Sequence, residues 1–536
     1  MKRDRQKVFT LPTMAQPRNR ARVVNMAADR EEVIGNDIVL NESHGDSMRE
    51  TEDFAKKLRT VRDCCNRLKM MIEWLKTHYP NYYSVGILPL SEDQKADKGR
   101  YHKQEEDFIY DRINVKMIKA FMSANKMKPG TEKQYSFVHM RKYHNVIQHG
   151  ASRAGQQLPQ SYVIGMTKFL NSFQKENNQA KKQGRLQENE ADPITFSFYR
   201  LICEMAIHTG DIYLWAYTVC QWNCMARSIN IDGLCFGQFS LGMDLAIIEF
   251  FDSKTDQTGE KTVPKNCYAN PEDMHVCIFT ALGCYFGIQD EVWSSDRDTI
   301  FRSKGTKDGS AANTYNTKLH YLFKGPLKDK VPEYVRPDHA NSHGIRKGGG
   351  TYATSGTTCP PPISSVAGRG EWSMGKVFDL YWLFAHAGDQ YLGRLLAGLD
   401  PNSAKFACFP PHFIAGMDNE FIREAMESTF KYIIERCSDG FPNIQGLLLR
   451  CLASMVHHSS KILQVIATNP RNPLAQIPIF SNSRQLQALK ILFLTESSVK
   501  IPRVSGIPPH VSMIVTLQDL IDKFIKESVR RKTEAI

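Results

Sequence analysis

The chain has 536 residues, 42% hydrophobic and 24% charged, so it has length for roughly two to four domains with real cores and is too apolar to be disordered throughout. Lys and Arg number 69 against 57 Asp and Glu, and the net charge of +12 suits a polyanionic partner, nucleic acid or an anionic membrane surface. The composition excludes collagen-like, mucin-like and disulfide-scaffold chains. The 13 cysteines form no C-x-x-C pair, which reads as reduced thiols in a reducing compartment rather than a zinc site. Met1-Lys2-Arg3-Asp4-Arg5 leads into no apolar segment, and no run approaches ~18 apolar residues, so neither a signal peptide nor a membrane span is expected.

Residues 1–50 read as a basic disordered arm, with Lys2, Arg3, Arg5, Lys7, Arg18, Arg20, Arg22 and Arg30 scattered without periodicity. Such an arm follows a DNA backbone, carries an import signal, or is a solvated tail. Residues 51–104 hold a heptad helix and a linker. From Asp53 to Thr77, Phe54, Leu58, Val61, Cys65, Leu68, Ile72 and Leu75 alternate at spacings of four and three, and Pro80 ends the helix. That seam serves self-association or packing on its own domain, and packing is the reading taken here.

Residues 105–190 form a helical block with three apolar stripes: Ile113, Met117, Ile118 and Phe121; Phe137, Met140, Tyr143 and Ile147; Tyr162, Met166, Phe169 and Phe173. Lys116, Lys119, Lys126, Lys128, Arg141 and Lys142 lie between or beside them and give the bundle a basic face. The polar run Gln174 to Glu190 reads as a linker. Residues 191–405 are mixed. A helical pattern covers Phe196–Ala226, a strand Met243–Phe251, a hairpin turn Asp252–Lys261, and helices Met274–Phe286 and Asn341–Tyr352. Residues 406–536 are helical again. They include Gly446–His457 and a last amphipathic helix after Pro508-Pro509, with Ile514, Leu517, Ile521 and Phe524 as a short seam. The fold class expected is mainly α with a small β-sheet.

Gly305 to Ser310 lacks the spacing of a phosphate-binding loop. There is also no G-x-S-x-G, no H-E-x-x-H, and no tight carboxylate pair of the kind that holds catalytic magnesium. What remains is an ordered set. Arg227 closes a helical segment, Lys254 stands at the hairpin tip, and His343 and Arg346 form an H-x-x-R on one helix turn. Trp372 follows in Gly368-Arg369-Gly370-Glu371-Trp372, and Tyr381 comes nine residues later.

These residue types suit phosphodiester cleavage by a protein nucleophile. A tyrosine hydroxyl attacks phosphorus and stores the bond as a phosphotyrosine. Two arginines clamp the non-bridging oxygens by forked hydrogen bonds. A lysine on a hairpin protonates the departing 5′ oxygen, a histidine handles a proton, and an indole N–H donates to an oxygen.

The order and spacing resemble the catalytic domain of tyrosine recombinases, and more closely the Crypton family of eukaryotic DNA transposons in oomycetes and algae. The resemblance is carried by Gln221–Arg227 (QWNCMAR), Lys254–Gly259 (KTDQTG), Tyr268–Pro271 (YANP), His343–Tyr352 (HGIRKGGGTY), Trp372–Lys376 (WSMGK) and Ala387–Leu399 (AGDQYLGRLLAGL). It implies a helical core-binding domain at 105–190 that clamps DNA, a mixed α+β recombinase catalytic domain at 191–405, and a helical C-terminal extension. It further implies Tyr381 as nucleophile, Arg227 and Arg346 as phosphate clamps, Lys254 as general acid, His343 as proton-handling partner and Trp372 as oxygen donor, with no cofactor and no metal.

The expected partner is double-stranded DNA, bound by a homo-tetramer on two duplexes in the nucleus. Two other readings use the same residues: a domesticated DNA-binding protein without recombination activity, and a type IB-like topoisomerase. The sequence departs from the family pattern at Asn230, where many members place an acid three residues after the first arginine. It departs again at Gly348-Gly349-Gly350, a triplet that reads either as an early end of its helix or as drift in a copy no longer selected for activity.

Overall fold

Helix α1 (Leu58–His78) stops short of Pro80 and buries Leu68, Met71, Ile72 and Leu75, so the described part of the heptad seam faces its own bundle. The computed structural model describes residues 58–80, 110, 113–153, 155–186, 191–251, 263–290, 293, 295–302, 311–375, 385–414, 417–437, 442–494 and 504–534. Lys254, Tyr381, the basic arm and the Asp252–Lys261 turn lie outside them. Among the described residues the chain is mainly helical, 64% helix against 4% strand, and no helix is long and apolar enough to cross a membrane.

Two compact units divide the chain, residues 1–124 with 141–169 and residues 125–140 with 170–536. In the first, α1 packs on α2 (Val115–Ala124), where the expected stripe Met117, Ile118 and Phe121 is buried. Phe121 takes the edge of Trp74 at 5.5 Å and meets Tyr143 of α3 (Phe137–Arg153) at 5.1 Å. Helix α4 (Gln160–Lys182) corrects the linker expected from Gln174, because its polar run is still helical to Lys182. The reason is a continuing buried stripe of Phe173, Asn177 and Ala180. Asn177 is polar but paid for: its side chain accepts from Phe137 N at 2.8 Å and donates to Tyr135 O at 2.9 Å.

The second unit is built around a helix apolar on nearly every side. The Phe196–Ala226 pattern resolves into α5 (Phe196–His208) and α6 (Ile212–Cys224), parted by Gly210 at φ +78 and restarted by Asp211, which caps Leu214 N at 3.0 Å. From Leu214 to Cys224 every residue of α6 is buried. A three-stranded antiparallel sheet lies beside it: β1 (Phe239–Leu241), β2 (Ala246–Ile248) and β3 (Lys265–Cys267). Phe239 pairs with Ile248, and Ala246 with Cys267. β2 is shorter than the strand expected from Met243, because Gly242 to Leu245 forms the preceding turn, with Gly242 N–H on the Leu245 carbonyl at 3.0 Å.

Helices α7 (Ile278–Gly287), α8 (Ala311–Lys324) and α9 (Ser342–Ser355) pack on α6, followed by α10 (Ile363–Arg369) and α11 (His386–Leu396). The C-terminal region adds α12 (Glu420–Thr429), α13 (Lys431–Cys437), α14 (Pro442–His457), α15 (Ser459–Thr468) and α16 (Ser483–Ile491), with a two-residue pair β4 (His412–Phe413) and β5 (Phe493–Leu494). One buried apolar cluster runs from Ile194 to Leu489, so residues beyond 406, to which the sequence assigned no role, share the core of α6.

Helix α9 does not end at its glycine triplet. A Cβ on Gly348 would lie 1.9 Å from the Ile194 carbonyl oxygen, and one on Gly350 would lie 2.6 Å from the Trp372 ring. The triplet costs helix propensity, up to ~3 kcal/mol in total against alanine, and in return lets the helix carrying Arg346 approach its neighbours. Helix α17 (Pro509–Glu534) is seated by its first turn, through buried Val511 and a bond between His510 Nε2 and the Pro401 carbonyl at 3.0 Å. Of the expected seam, Ile514 is half-buried, while Leu517, Ile521 and Phe524 are 56%, 52% and 74% exposed, so all but its first residue is uncovered in the single chain.

His458, at the junction of α14 and α15, donates Nε2–H to the Asn270 carbonyl at 3.0 Å, and burial lowers its pKa to about 4. Between about pH 4 and the ordinary 6.5 the unfolded chain binds a proton that the folded one refuses, so stability falls as pH drops through that window. The full loss is about 3 kcal/mol. Thermal unfolding between pH 7 and pH 4 is expected to show this fall, flattened in His458→Gln, which keeps an N–H donor without the titration.

Candidate active site

Helix α6 ends in a left-handed residue. Met225 has φ 46, its N–H bonds the Trp222 carbonyl at 3.0 Å, and Ala226 N–H bonds that of Gln221 at 3.1 Å. This turn projects Arg227 at the start of the single-turn helix Ser228–Asp232. Helix α10 ends in the same way, with Glu371 at φ 51, its N–H on Gly368 O at 2.9 Å and Trp372 N–H on Ala367 O at 2.9 Å. Glycine is the usual residue in such a turn, and a side-chain-bearing residue costs about 1–2 kcal/mol. Met225 and Glu371 are the two non-glycine residues with positive φ among the described residues, and both border one site.

There Arg227 Nη1 donates to Glu371 Oε2 at 2.7 Å, and Lys265, which opens β3, donates to Glu371 Oε1 at 3.2 Å and to the Val263 carbonyl at 3.1 Å. Arg346, buried on α9, donates Nη2–H to the Gly370 carbonyl, and its guanidinium lies 5.7 Å from the centre of the Trp372 ring. Burial lowers the Arg346 pKa to about 10; the charge of Arg227 pushes the same way and Glu371 opposes both. Arg346 therefore remains cationic at neutral pH. The arrangement gathers three cations around one carboxylate, so its local charge is positive, which is chemistry able to hold an oxyanion.

Beneath it lies a completely buried ion pair. Arg369 Nε and Nη2 bind the two Asp389 oxygens at 2.7 and 2.9 Å; Nη1 donates to Asn223 O at 2.7 Å and Nη2 to Asn266 O at 2.6 Å. Asp389 Oδ2 also accepts from Asn266 N at 2.9 Å and Nδ2 at 2.7 Å. Burial pushes the Arg369 pKa down; the Asp389 carboxylate outweighs this and raises it. The pair ties the last turn of α6, β3 and α11 together, and thereby sets where Arg227 and Lys265 emerge.

Of the six residues expected to do chemistry, the structure groups Arg227, Arg346 and Trp372. Trp372 is 41% exposed, and its indole N–H bonds none of the described residues. His343 is exposed on the first turn of α9, one turn before buried Arg346. Lys254 and Tyr381 lie outside the described residues. Asn230 is buried, three residues after Arg227.

Of the six basic residues expected on DNA, Lys116, Lys119, Arg141 and Lys142 belong to the first unit, and Lys126 and Lys128 to the second. Lys116, Arg141 and Lys142 are exposed, Lys142 lying 3.9 Å from Asp63. Lys119 is half-buried, with its ammonium 6.0 Å from the centre of the Phe169 ring. Lys126 is half-buried and paired with Glu176 at 2.6 Å, and Lys128 is half-buried too.

Sequence reasoning missed Lys265, Glu371, Arg369 and Asp389. The last three stand inside the quoted GRGEW and AGDQY stretches, where charges among small and apolar residues were the available signal. Lys265 carried none, being one of several lysines around a polar hairpin. No protein-family model matches the chain, and no curated protein matches it.

Proposed function

We propose that the protein is a DNA strand transferase of the tyrosine recombinase type, the recombinase of a mobile element. The observation that supports it is that Arg227 and Arg346, remote in sequence, converge with Trp372 beside the left-handed turns at Met225 and Glu371. In this reading the Tyr381 hydroxyl oxygen attacks the scissile phosphorus, the P–O5′ bond breaks, and Lys254 gives its proton to the departing 5′ oxygen. His343 takes or returns the tyrosine's proton. Arg227 and Arg346 hold the non-bridging oxygens as charge builds on them, and Trp372 donates its indole N–H. A 5′-hydroxyl of another strand then attacks the phosphotyrosine and restores a phosphodiester, so no bond energy is lost and the chain's own residues move every proton.

The helical segment at 105–190 serves as the core-binding domain, with Lys116, Lys119, Lys126, Lys128, Arg141 and Lys142 on phosphates, in a nuclear tetramer on two duplexes. The uncovered apolar side of α17 supports assembly. The test is incubation with a pool of nicked duplexes in chelator, followed by denaturing electrophoresis. DNA linked to protein is the expected product; its absence, with salt-sensitive binding retained, turns the reading to a DNA-binding protein without recombination.

A further inference from the structure

We propose that Glu371 is a positioning residue of the phosphate clamp, which sets Arg227 before any anion arrives and supplies the carboxylate that position 230 lacks. The inference rests on the strand-transfer reading above.

The two Glu371 oxygens are divided between two cations, Oε2 on Arg227 and Oε1 on Lys265. The side chains grade from 1% exposed at Lys265 through 9% at Glu371 to 21% at Arg227. An anion arriving from solvent therefore meets Arg227 first, with Glu371 and Lys265 behind it. Glu371 takes one nitrogen of the Arg227 fork, and among the described residues no other ion-pair partner holds that guanidinium. The remaining donors stay available to a phosphate, already aimed, because a bidentate clamp works only when the fork is fixed in plane.

Position 371 shows the cost of this arrangement. The turn that ends α10 calls for glycine, and glycines stand at 368 and 370, yet the left-handed place itself holds a glutamate. A residue that only closed the helix would do better as glycine. The left-handed backbone at the end of α10 carries the carboxylate to Arg227, whereas Asn230, three residues after that arginine, has an amide that cannot carry the charge of an acid. Lys265, buried against the Phe250 ring at 4.8 Å, neutralises the carboxylate from the far side.

Glu371→Gln alone leaves Lys265 buried without a counter-charge and risks the fold. The decisive comparison is therefore Lys265→Met against Lys265→Met with Glu371→Gln, in the full chain. Single-turnover formation of protein-linked DNA is expected to be on the order of 100-fold slower in the double variant. With a methylphosphonate at the scissile position, which removes the charge that Arg227 meets, the gap is expected to shrink to within a few-fold. Equal rates in the two variants, or equal slowing on both substrates, would overturn the inference.

Thermal unfolding with and without inorganic sulfate gives a readout that needs no cleavage. The sulfate-induced rise in Tm is expected to fall in the double variant to that of Arg227→Gln, and an unchanged rise overturns the positioning role. Absence of linked DNA with the unmodified protein would instead count against the strand-transfer reading, leaving the sulfate result to decide on Glu371.

Discussion

Asp389→Asn is expected to destabilise the second unit by about 3–5 kcal/mol, because it leaves the fully buried Arg369 charge without its counter-ion. The amide can keep a bond to Arg369 but not the charge that reverses the effect of burial. It also brings an N–H₂ donor towards the donors of Asn266, which now converge on Asp389 Oδ2. Denaturant unfolding checks the loss. Asp389→Asn combined with Arg369→Met removes both charges and is expected to recover a large share of it, since a buried pair contributes less net stability than its rupture costs. The same pair fixes Asn223 and Asn266, so variants that still fold are expected to cut DNA slowly as well.

Arg346→Ala is expected to slow covalent strand cleavage by about 10²–10³-fold at saturating DNA, the usual loss for one donor on a developing oxyanion. Binding should change little, since one phosphate contact is lost among many. Arg346→Lys is expected to rescue poorly. The guanidinium is used in two directions, towards the Gly370 carbonyl and over the Trp372 face, and an ammonium cannot repeat that planar fork. Single-turnover rates with a nicked duplex, beside filter binding of the same duplex, separate the two effects.

Local pattern carried far in this chain. The stripes Met117–Phe121 and Tyr143–Ile147, the hairpin of β2 and β3, and the helix of the H-x-x-R were legible because apolar spacing and turn residues record them directly. The linker at Gln174 was misread because one buried Asn177, satisfied by backbone partners from another segment, looks polar in the sequence. The glycine triplet read as a helix stop or as drift because propensity sees the helix alone, whereas the carbonyl of Ile194 and the ring of Trp372 decide what fits there. The grouping of Arg227, Arg346 and Trp372 was readable by order and spacing. Glu371 and Lys265 were not, since their meaning comes from a left-handed turn and a strand end that meet only in the folded chain.

The central claim, a covalent bond between DNA and a tyrosine of this chain, is tested by finding the linked residue. Protein-linked DNA from a nicked-duplex pool would be trimmed with nuclease, digested with protease and sequenced by mass spectrometry, in parallel with Tyr381→Phe. The account predicts a nucleotide on the peptide containing Tyr381, and no linked DNA in the variant although it binds the pool as before. Linkage to another residue, or undiminished linkage in Tyr381→Phe, would contradict it.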